Sequence, residues 1–305
     1  MRVGVIGVGS LGQHHARLYA GLPGARLVAV VDRDGDRARL VGERHGVPGF
    51  ADLTALPDDL EAVSVAVPTV EHAAVTEACL ARGLSVLVEK PMAPSVAEAE
   101  SMVAAAARAG RLLLVGHTER FNPAFRAVAS RLRDPRFIEA HRLGVFTARS
   151  TDIDVVLDLM IHDLDLVLSL VRGEVAAVDS VGVNALTDKV DIANARLRFE
   201  NGAVANLTAS RISTDRVRKL RIFEADAYLS LDTAEQSAVV YRLKRGSGTR
   251  PEIVKEDVPV EREEPLAVEL RAFVAQVRGG PSEGVSARDG LRALRMATRI
   301  LEQIG

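Results

Sequence analysis

Val3-Gly4-Val5-Ile6-Gly7-Val8-Gly9-Ser10-Leu11-Gly12 stands almost at the start of the 305-residue chain. A short apolar run leads into the spacing G-x-G-x-x-G, and a stretch of helical character follows, which predicts a buried strand that turns sharply into a helix. Glycine is required at each of the three positions for a different physical reason. Gly7 permits the tight turn, Gly9 lets the backbone approach a pyrophosphate, and Gly12 lets the helix pack close on the strand.

Asp32 stands at the end of the second apolar run, 20 residues after Gly12. A carboxylate in that position can accept a hydrogen bond from the 2′-hydroxyl of an adenosine ribose, and it repels a 2′-phosphate. The N-terminus of the first helix offers unpaired N–H groups and a positive dipole end to phosphates. These features predict a dinucleotide site and favour NAD over NADP, although Arg33 follows at once and would weaken that preference. A plain strand–helix turn is the alternative interpretation.

The composition excludes several classes of protein. Lys and Arg number 39 and Asp and Glu 41, so the formal charge of −2 provides no basic excess for nucleic acid or an anionic membrane. The single cysteine, Cys79, excludes an intramolecular disulfide and a Cys-rich metal site. No apolar run approaches the roughly 18 residues of a membrane helix, and residues 2–11 lack a signal-peptide cleavage site. We therefore expect a cytoplasmic protein.

Apolar runs alternate with helical stretches as far as about residue 118. Runs of about five residues rich in Val, Leu and Ile are typical of strands covered on both faces. The alternation predicts an α/β fold, with a doubly wound parallel sheet of the Rossmann type in a first domain of residues 1–118. The expected strands are Val3–Val8, Leu27–Val31, Ala62–Val67, Ser85–Val88 and Leu112–Val115, and the expected helices are Leu11–Ala20, Asp36–His45, Glu71–Arg82 and Val96–Ala109.

The pattern changes in residues 119–305, which we expect to form a second, α+β domain with a large, mostly antiparallel open sheet. Asn201-Gly202 lies between two strand-like runs and predicts a hairpin turn. Gly246-Ser247-Gly248 is typical of a loop. The expected helices of this half are Pro123–Leu132, Val155–Val171, Leu266–Val277 and Ala287–Gln303.

A charged pair, Glu89-Lys90, stands where the fourth apolar run ends, directly before Pro91. In open α/β sheets, ligands bind outside the carboxyl ends of the strands, so Lys90 is placed for a ligand site. Desolvation beside a bound cofactor would suit its ammonium group to acid–base work. A solvated loop lysine paired with Glu89 is the alternative interpretation.

Residues 155–171, VVLDLMIHDLDLVLSLV, are apolar at nearly every position, so this helix should be buried all round. At about 100° per residue, one narrow stripe of the helix carries Asp158, His162, Asp165 and Ser169. The stripe predicts a polar cleft, with His162 as general acid or base because imidazole titrates near neutral pH, and with Asp158 orienting it. A buried structural network is one alternative. A divalent cation is another, although no supporting ligand cluster is evident and we expect no metal.

Residues 116–123, Gly-His-Thr-Glu-Arg-Phe-Asn-Pro, follow the last strand of the first domain. Domain junctions commonly carry ligands, so His117, Arg120 and Asn122 are candidate substrate contacts. Arg120 could grip a carboxylate or a phosphate. Asn122 would also suit a helix N-cap, with Pro123 at the first helical position.

Other chemically suggestive residues are given less weight. His14 and His15, at the start of the first helix, are interpreted as packing or surface residues, and Cys79 as an inert core thiol. His72 follows Pro68-Thr69 near a strand end, and we expect it to border the cofactor.

Together these segments resemble the glucose–fructose oxidoreductase / inositol dehydrogenase / MocA family over the whole chain. The resemblance rests on GVGSLG with Asp32, on Pro68-Thr69 with His72, on Glu89-Lys90-Pro91, and on Asp158-x-x-x-His162-x-x-Asp165. It implies a Rossmann domain followed by an α/β domain whose open sheet forms the interface of a homodimer or homotetramer. It also implies that Lys90 and His162 handle the proton of a sugar hydroxyl, beside Asp158, while a nicotinamide accepts hydride from the same carbon.

The resemblance further implies which residues contact ligands. Residues 115–123 are similar to the corresponding segment of dehydrogenases that oxidise the 3-hydroxyl of UDP-linked sugars, which implies a nucleotide-sugar substrate. A free polyol or sugar, and a non-catalytic NAD-binding sensor, are the alternatives. The implied cofactor contacts are Gly7, Gly9, Ser10, Leu11, Gly12, Asp32, Arg33, Pro68, Thr69, His72, Glu89 and Lys90, and the implied substrate contacts are Lys90, His117, Arg120, Asn122, Asp158 and His162.

Overall fold

The computed structural model describes residues 1–147, 153–244 and 252–305, so the expected loop Gly246-Ser247-Gly248 lies outside the described residues. The chain divides into two units: Met1–Thr118 with Glu264–Leu291, and Glu119–Glu263 with Arg292–Gly305. The expectation that residues 119–305 form one domain is corrected, since the segment Glu264–Leu291 belongs to the first unit.

The first unit is built on a six-stranded sheet whose neighbouring strands all run parallel. Its strands are β1 (Arg2–Ile6), β2 (Arg26–Val31), β3 (Gly49–Phe50), β4 (Ala62–Val65), β5 (Ser85–Glu89) and β6 (Leu113–Gly116), and the helices between them are α1 (Gly12–Gly21), α2 (Gly35–His45), α3 (His72–Ala81) and α4 (Val96–Ala109). The strand order, β3-β2-β1-β4-β5-β6, is that of a doubly wound nucleotide-binding sheet, which confirms the predicted fold class. The two-residue strand β3 was not predicted, because it is too short to form an apolar run.

Local sequence explains where α4 begins and ends. The Ser95 hydroxyl accepts a hydrogen bond from the backbone N–H of Glu98 and donates one to the Glu98 carboxylate, so Ser95 caps the N-terminus of the helix. Gly110 follows the helix in a left-handed conformation, with φ of 60°. The boundaries of this helix are therefore fixed by its own residues.

Helix α7 (Pro265–Val277) explains why Glu264–Leu291 joins the first unit. Leu270, Phe273 and Val274 are buried in the same hydrophobic cluster as Val3 and Val30 of the parallel sheet. Because this apolar face needs a core to cover it, the helix packs on the sheet formed by strands within residues 2–116, far earlier in the chain.

The second unit is built on an eight-stranded sheet in the order β14-β13-β12-β11-β7-β10-β9-β8. Among these strands, β7 and β10 run parallel and the other neighbouring pairs run antiparallel, as expected. The strands are β7 (Phe137–Leu143), β8 (Val175–Val183), β9 (Ile192–Phe199), β10 (Val204–Ser210), β11 (Val217–Phe223), β12 (Ala227–Asp232), β13 (Ser237–Lys244) and β14 (Glu252–Asp257), accompanied by helices α5 (Pro123–Ala129), α6 (Ile161–Leu170) and, from Arg292 onward, α8 (Ala287–Ile304).

The expected single helix over Val155–Val171 is present as a continuous helical segment over residues 155–170, but its first part is not a regular α-helix. Residues Val156–Met160 form a π-helical turn, and α6 begins only at Ile161. A π turn closes i→i+5 hydrogen bonds, so residues before and after it do not follow the 100° spacing on which the predicted stripe depends.

Candidate functional site

The glycine-rich turn between β1 and α1 has the geometry of a phosphate cradle. Gly7 has φ of +82°, and a Cβ there would lie 2.6 Å from the Ala66 carbonyl oxygen. A Cβ on Gly12 would lie 1.7 Å from the carbonyl oxygen of Gly7, so neither position tolerates a side chain. At Gly9, by contrast, the nearest such atom is 3.9 Å away, which leaves the backbone open to a ligand. The turn therefore fits a dinucleotide, with Ser10 and Leu11 at the helix N-terminus.

Asp32 is held firmly at the end of β2. One carboxylate oxygen accepts a hydrogen bond from the Val8 N–H at 2.9 Å, and the other accepts from the Asp34 N–H at 3.0 Å. The guanidinium of Arg37, in the first turn of α2, lies 3.3 Å from both oxygens. Arg33, whose side chain is 75% exposed, pairs with Glu71 instead, so the cation beside Asp32 is Arg37 and not the predicted Arg33.

Glu89, at the end of β5, forms a buried pair with His15, which was expected to be a packing or surface residue. His15 Nε2 lies 2.9 Å from Glu89 Oε1, and the Lys90 N–H donates to Glu89 Oε2 at 3.2 Å. Although burial opposes ionisation, the His15 hydrogen bond and the nearby charges hold the pKa of Glu89 below its ordinary value. The signal was present in the sequence, because His15 follows Gly12 at i+3 and so lies on the helix face that packs against the sheet.

His72 connects the loops that follow two adjacent strands. Its ring nitrogens lie 2.9 Å from the carbonyl oxygens of Pro91 and Val67, and the ring is buried. Burial lowers the pKa of His72, and the two backbone contacts oppose that change. His72 thus braces the segment that carries Lys90, which is half-buried and joined to Pro91 by a cis peptide bond. Cofactor contacts by His72, Pro68 and Thr69 stay predictions.

In the second unit, the predicted polar stripe is separated into two environments. Asp158, in the π turn, and His162, in the first turn of α6, are both half-buried. Asp165 is fully buried, and its two oxygens accept hydrogen bonds from Arg120 Nε at 2.7 Å and Nη2 at 2.9 Å. Ser169 donates to the carbonyl of Leu166. Asp165 and Ser169 share the regular helix α6 with His162, but they are bound within the protein, by Arg120 and by the Leu166 carbonyl.

The candidate substrate contacts of residues 117–122 also have structural partners. Asn122 Oδ1 accepts from the Ala124 N–H at 3.1 Å, and its Nδ2 donates to the Thr233 carbonyl at 2.9 Å, so the predicted N-cap before Pro123 is confirmed. Arg120 is held by Asp165, and His117 is buried. Contacts of His117, Arg120 and Asn122 with a substrate stay predictions.

A buried charge cluster that was not predicted from the sequence lies beside the helix that carries His162. The guanidinium of Arg142, on β7, lies 2.9 and 2.7 Å from the carboxylate oxygens of Asp163, and its Nη1 lies 2.8 Å from Glu119. Burial disfavours the charge of Arg142, but the two carboxylates hold its pKa above the ordinary value. The available signal was the alternation Ile138, Ala140, Arg142, which places an arginine on the buried face of the strand.

Neither a candidate metal centre nor a membrane-spanning helix is found among the described residues. Within residues 1–147, 153–244 and 252–305, no group of three or more His, Cys, Asp or Glu side chains is arranged to hold a metal ion. Across the same ranges, no helix has the length and the apolar character needed to cross a membrane.

Comparison with protein families identifies both halves of the chain. A family model described as the oxidoreductase family with an NAD-binding Rossmann fold (GFO_IDH_MocA) matches residues 1–117. A model of the GFO/IDH/MocA C-terminal domain matches residues 124–229.

Individual relatives match nearly the whole chain. UDP-N-acetylglucosamine 3-dehydrogenase of Acidithiobacillus ferrooxidans is 40% identical over 300 residues, which cover 96% of this chain and 95% of that protein. Myo-inositol 2-dehydrogenase of Thermotoga maritima is 28% identical over 317 residues, which cover 96% and 93%. The solved structure of the Acidithiobacillus ferrooxidans enzyme superposes with a TM-score of 0.92 at 37% identity, covering 100% of this chain and 97% of that one.

Proposed function

The chain belongs to the GFO/IDH/MocA family of oxidoreductases, and from that premise we propose that it is an NAD-dependent dehydrogenase that oxidises the 3-hydroxyl of UDP-N-acetylglucosamine, or of a related UDP-sugar, to a ketone. The observation that carries this proposal is the 40% identity to UDP-N-acetylglucosamine 3-dehydrogenase over 96% of the chain. The similarity to an inositol dehydrogenase, at 28% identity, supports oxidation of a free polyol less strongly.

Three side chains carry the proposed chemistry. When bound, NAD supplies the hydride acceptor for the oxidised carbon. We assign Lys90 and His162 to the transfer of the proton of the reacting hydroxyl: one of the two side chains accepts this proton and the other passes it on. We assign Asp158 to the orientation of His162. Asp158 and His162 are half-buried, whereas Asp163 and Asp165 of the same segment are buried, and this difference in exposure supports the assignment because a ligand can reach only a side chain that is at least partly exposed.

NAD, and not NADP, is the proposed cofactor. The Asp32 carboxylate is held at the end of β2 by two backbone N–H groups, where it can accept a hydrogen bond from a ribose 2′-hydroxyl. The open backbone at Gly9 supports the approach of the pyrophosphate.

The test is spectrophotometric. The purified protein is supplied with NAD and UDP-N-acetylglucosamine, and formation of NADH is followed by absorbance. K90A and H162A should each lower kcat by about 10²–10⁴-fold, as for loss of an acid–base group. K255A, which removes an exposed lysine of β14, should leave kcat unchanged.

The outcomes separate the rival functions. Absence of turnover on any UDP-sugar, with turnover on myo-inositol, would replace the proposed substrate by a free polyol. Absence of turnover on the whole substrate panel, with NAD still bound, would favour a non-catalytic sensor.

We also propose that the protein is a cytoplasmic homodimer or homotetramer that associates through its eight-stranded sheet. Phe137, Phe223, Tyr228 and Tyr241 form a row across four neighbouring strands, with successive ring centroids 4.7–5.7 Å apart. They alternate with the buried residues of their strands and so lie on the face opposite the core. Aromatic residues are enriched at protein interfaces, which supports association through this face. Molar mass by light scattering tests the proposal.

A further inference from the structure

Arg218, on β11, stands directly opposite Arg142 in the sheet of the second unit. The antiparallel register of β11 and β7 pairs the two residues, and directly opposed residues project from the same face with Cβ atoms about 4.5–5.5 Å apart. That face is the buried one, since Leu220 and Ile222 follow Arg218 at alternate positions and are buried. The two arginine side chains therefore leave the sheet from neighbouring positions on one face, and two like charges so placed are unfavourable unless anions compensate both.

The anions nearby compensate Arg142. Asp163 binds it through two hydrogen bonds and Glu119 through a third. Arg218 is half-buried, and within the described ranges 1–147, 153–244 and 252–305 its side chain makes no hydrogen bond and no ion pair. Desolvation and the charge of Arg142 lower the pKa of Arg218.

Charges of both signs act on Arg218. Glu119 and Asp163 attract its guanidinium, but both carboxylates are already bound by Arg142, and Arg142 and Arg216 repel it. An arginine fork with unused donors, partly removed from water and next to a second cation, binds carboxylate or phosphate groups strongly. Asp163 also directly follows His162, which places the cluster next to the proposed catalytic helix turn.

We propose that Arg218, backed by Arg142, forms a binding site for the diphosphate of a nucleotide-sugar substrate. This inference rests on the proposed function and names the residue that would recognise the anionic part of that substrate. Arg216, which is exposed and precedes β11, adds to the positive field around it. The site binds the diphosphate and takes no part in proton transfer.

The variant R218Q tests the site, and R221Q is its matched control. Arg221 lies on the same strand but on the opposite face, where it pairs with Glu139. Binding of UDP and of inorganic pyrophosphate is measured by isothermal titration calorimetry in the absence of NAD. R218Q should weaken UDP binding by at least about tenfold, as for the loss of charged hydrogen bonds, and R221Q should bind like the wild type.

The thermal stability of the free protein distinguishes a ligand site from a structural role. Because Arg218 lacks an internal partner among the described residues and is repelled by Arg142, R218Q should leave Tm unchanged or raise it, while the rise in Tm caused by UDP is lost. A large fall in Tm together with unchanged UDP affinity would show that Arg218 is structural and would overturn the inference.

Kinetics separate this inference from the proposed function. If the wild-type protein oxidises UDP-N-acetylglucosamine and R218Q raises KM with little change in kcat, both the Arg218 site and the proposed function are supported. If wild type turns over this substrate and R218Q keeps its KM, the Arg218 site is wrong and the proposed function survives. If the wild-type protein turns over no UDP-sugar but binds UDP through Arg218, the Arg218 site is supported and the proposed function is wrong. If Arg218 is needed only for free hexuronates, the ligand is a carboxylate and the diphosphate assignment is overturned.

Discussion

A single side chain, Arg37, determines the electrostatic environment of the predicted cofactor-specificity residue. Its guanidinium lies 3.3 Å from both oxygens of Asp32, and it also pairs with Asp34 at 3.0 Å. A carboxylate that is partly neutralised in this way repels a 2′-phosphate less than a bare one would. Arg37 also lines a cavity of about 520 Å³ beside Gly9 and Ser10.

We predict that R37A makes the enzyme more selective for NAD. Without the guanidinium, the charge of Asp32 is uncompensated, so kcat/KM for NADP should fall on the order of tenfold while kcat/KM for NAD changes by less than a few-fold. The control is R39A, which removes an exposed arginine of the same helix that pairs with Glu43. Steady-state kinetics with both dinucleotides measure the effect. A loss of NADP activity in R33A but not in R37A would show that Arg33, and not Arg37, weakens the repulsion between Asp32 and a 2′-phosphate.

Residue roles could be predicted from the sequence where local geometry determines them. Gly7 and Gly12 sit where a side chain would strike the neighbouring backbone, and the Asn122 cap is a property of adjacent residues. Arg37 and His15 could not be assigned in the same way. Glu89 lies 74 residues after His15 in the sequence, and Arg37 reaches back five residues to Asp32 across the turn between β2 and α2, so neither pairing follows from a spacing rule.

At the scale of elements, the connection between β8 and β9 is organised around one carboxylate. Asp191 accepts hydrogen bonds from the backbone N–H groups of Ala185, Leu186 and Thr187 at 2.9, 2.6 and 2.9 Å, and from the Thr187 hydroxyl at 2.8 Å. Although burial opposes its charge, these bonds lower the pKa of Asp191 to about 2 from the ordinary 3.8.

We predict that this connection makes stability sensitive to acid. Because the folded pKa lies below the unfolded one, the contribution of Asp191 is fully present above about pH 4 and is lost as the pH falls toward 2. D191N should lower the free energy of unfolding by at least about 1.5 kcal/mol at pH 7 and should flatten the fall in Tm between pH 4 and pH 2. The control is D179N, on the exposed side of β8, where the pair with Arg198 spans 3.6 Å. Equal acid sensitivity of D191N and wild type would contradict this account.

Elements with a local signal were predicted well, and the others were not. Asn201-Gly202 forms the expected turn between β9 and β10, with φ of 84° at Gly202. The π turn at Val156–Met160 has no periodic signature, because apolar residues fill almost every position there and any helical register fits them equally. The Asp191-centred connection depends on a side chain whose partners lie four to six residues earlier in the chain.

At the scale of the whole molecule, an element late in the sequence packs in the unit formed by the start of the chain. The sequence pattern predicted α7 within one residue of its start, but a helix pattern does not say which sheet will cover its apolar face. The domain expectation was therefore corrected for Glu264–Leu291, whose core residues belong with β1 and β2.

We predict that the core of the first unit depends on α7. F273A removes a fully buried ring and should cost about 3–5 kcal/mol, which lowers Tm by roughly 10 °C. The control is F146A, because Phe146 is 40% exposed and its loss should change Tm by no more than about 2 °C. Differential scanning calorimetry measures both. Similar Tm values for F273A and wild type would show that α7 contributes little to this core.

The return of α7 to the parallel sheet has a consequence for how the protein is made. A ribosome completes all six strands of that sheet by residue 116, but Leu270, Phe273 and Val274 are still to be translated. The apolar surface that α7 covers therefore stays exposed on the nascent first unit while the entire second sheet is synthesised. Chaperone dependence should be greatest in that interval, and termination anywhere before residue 277 should yield aggregating fragments.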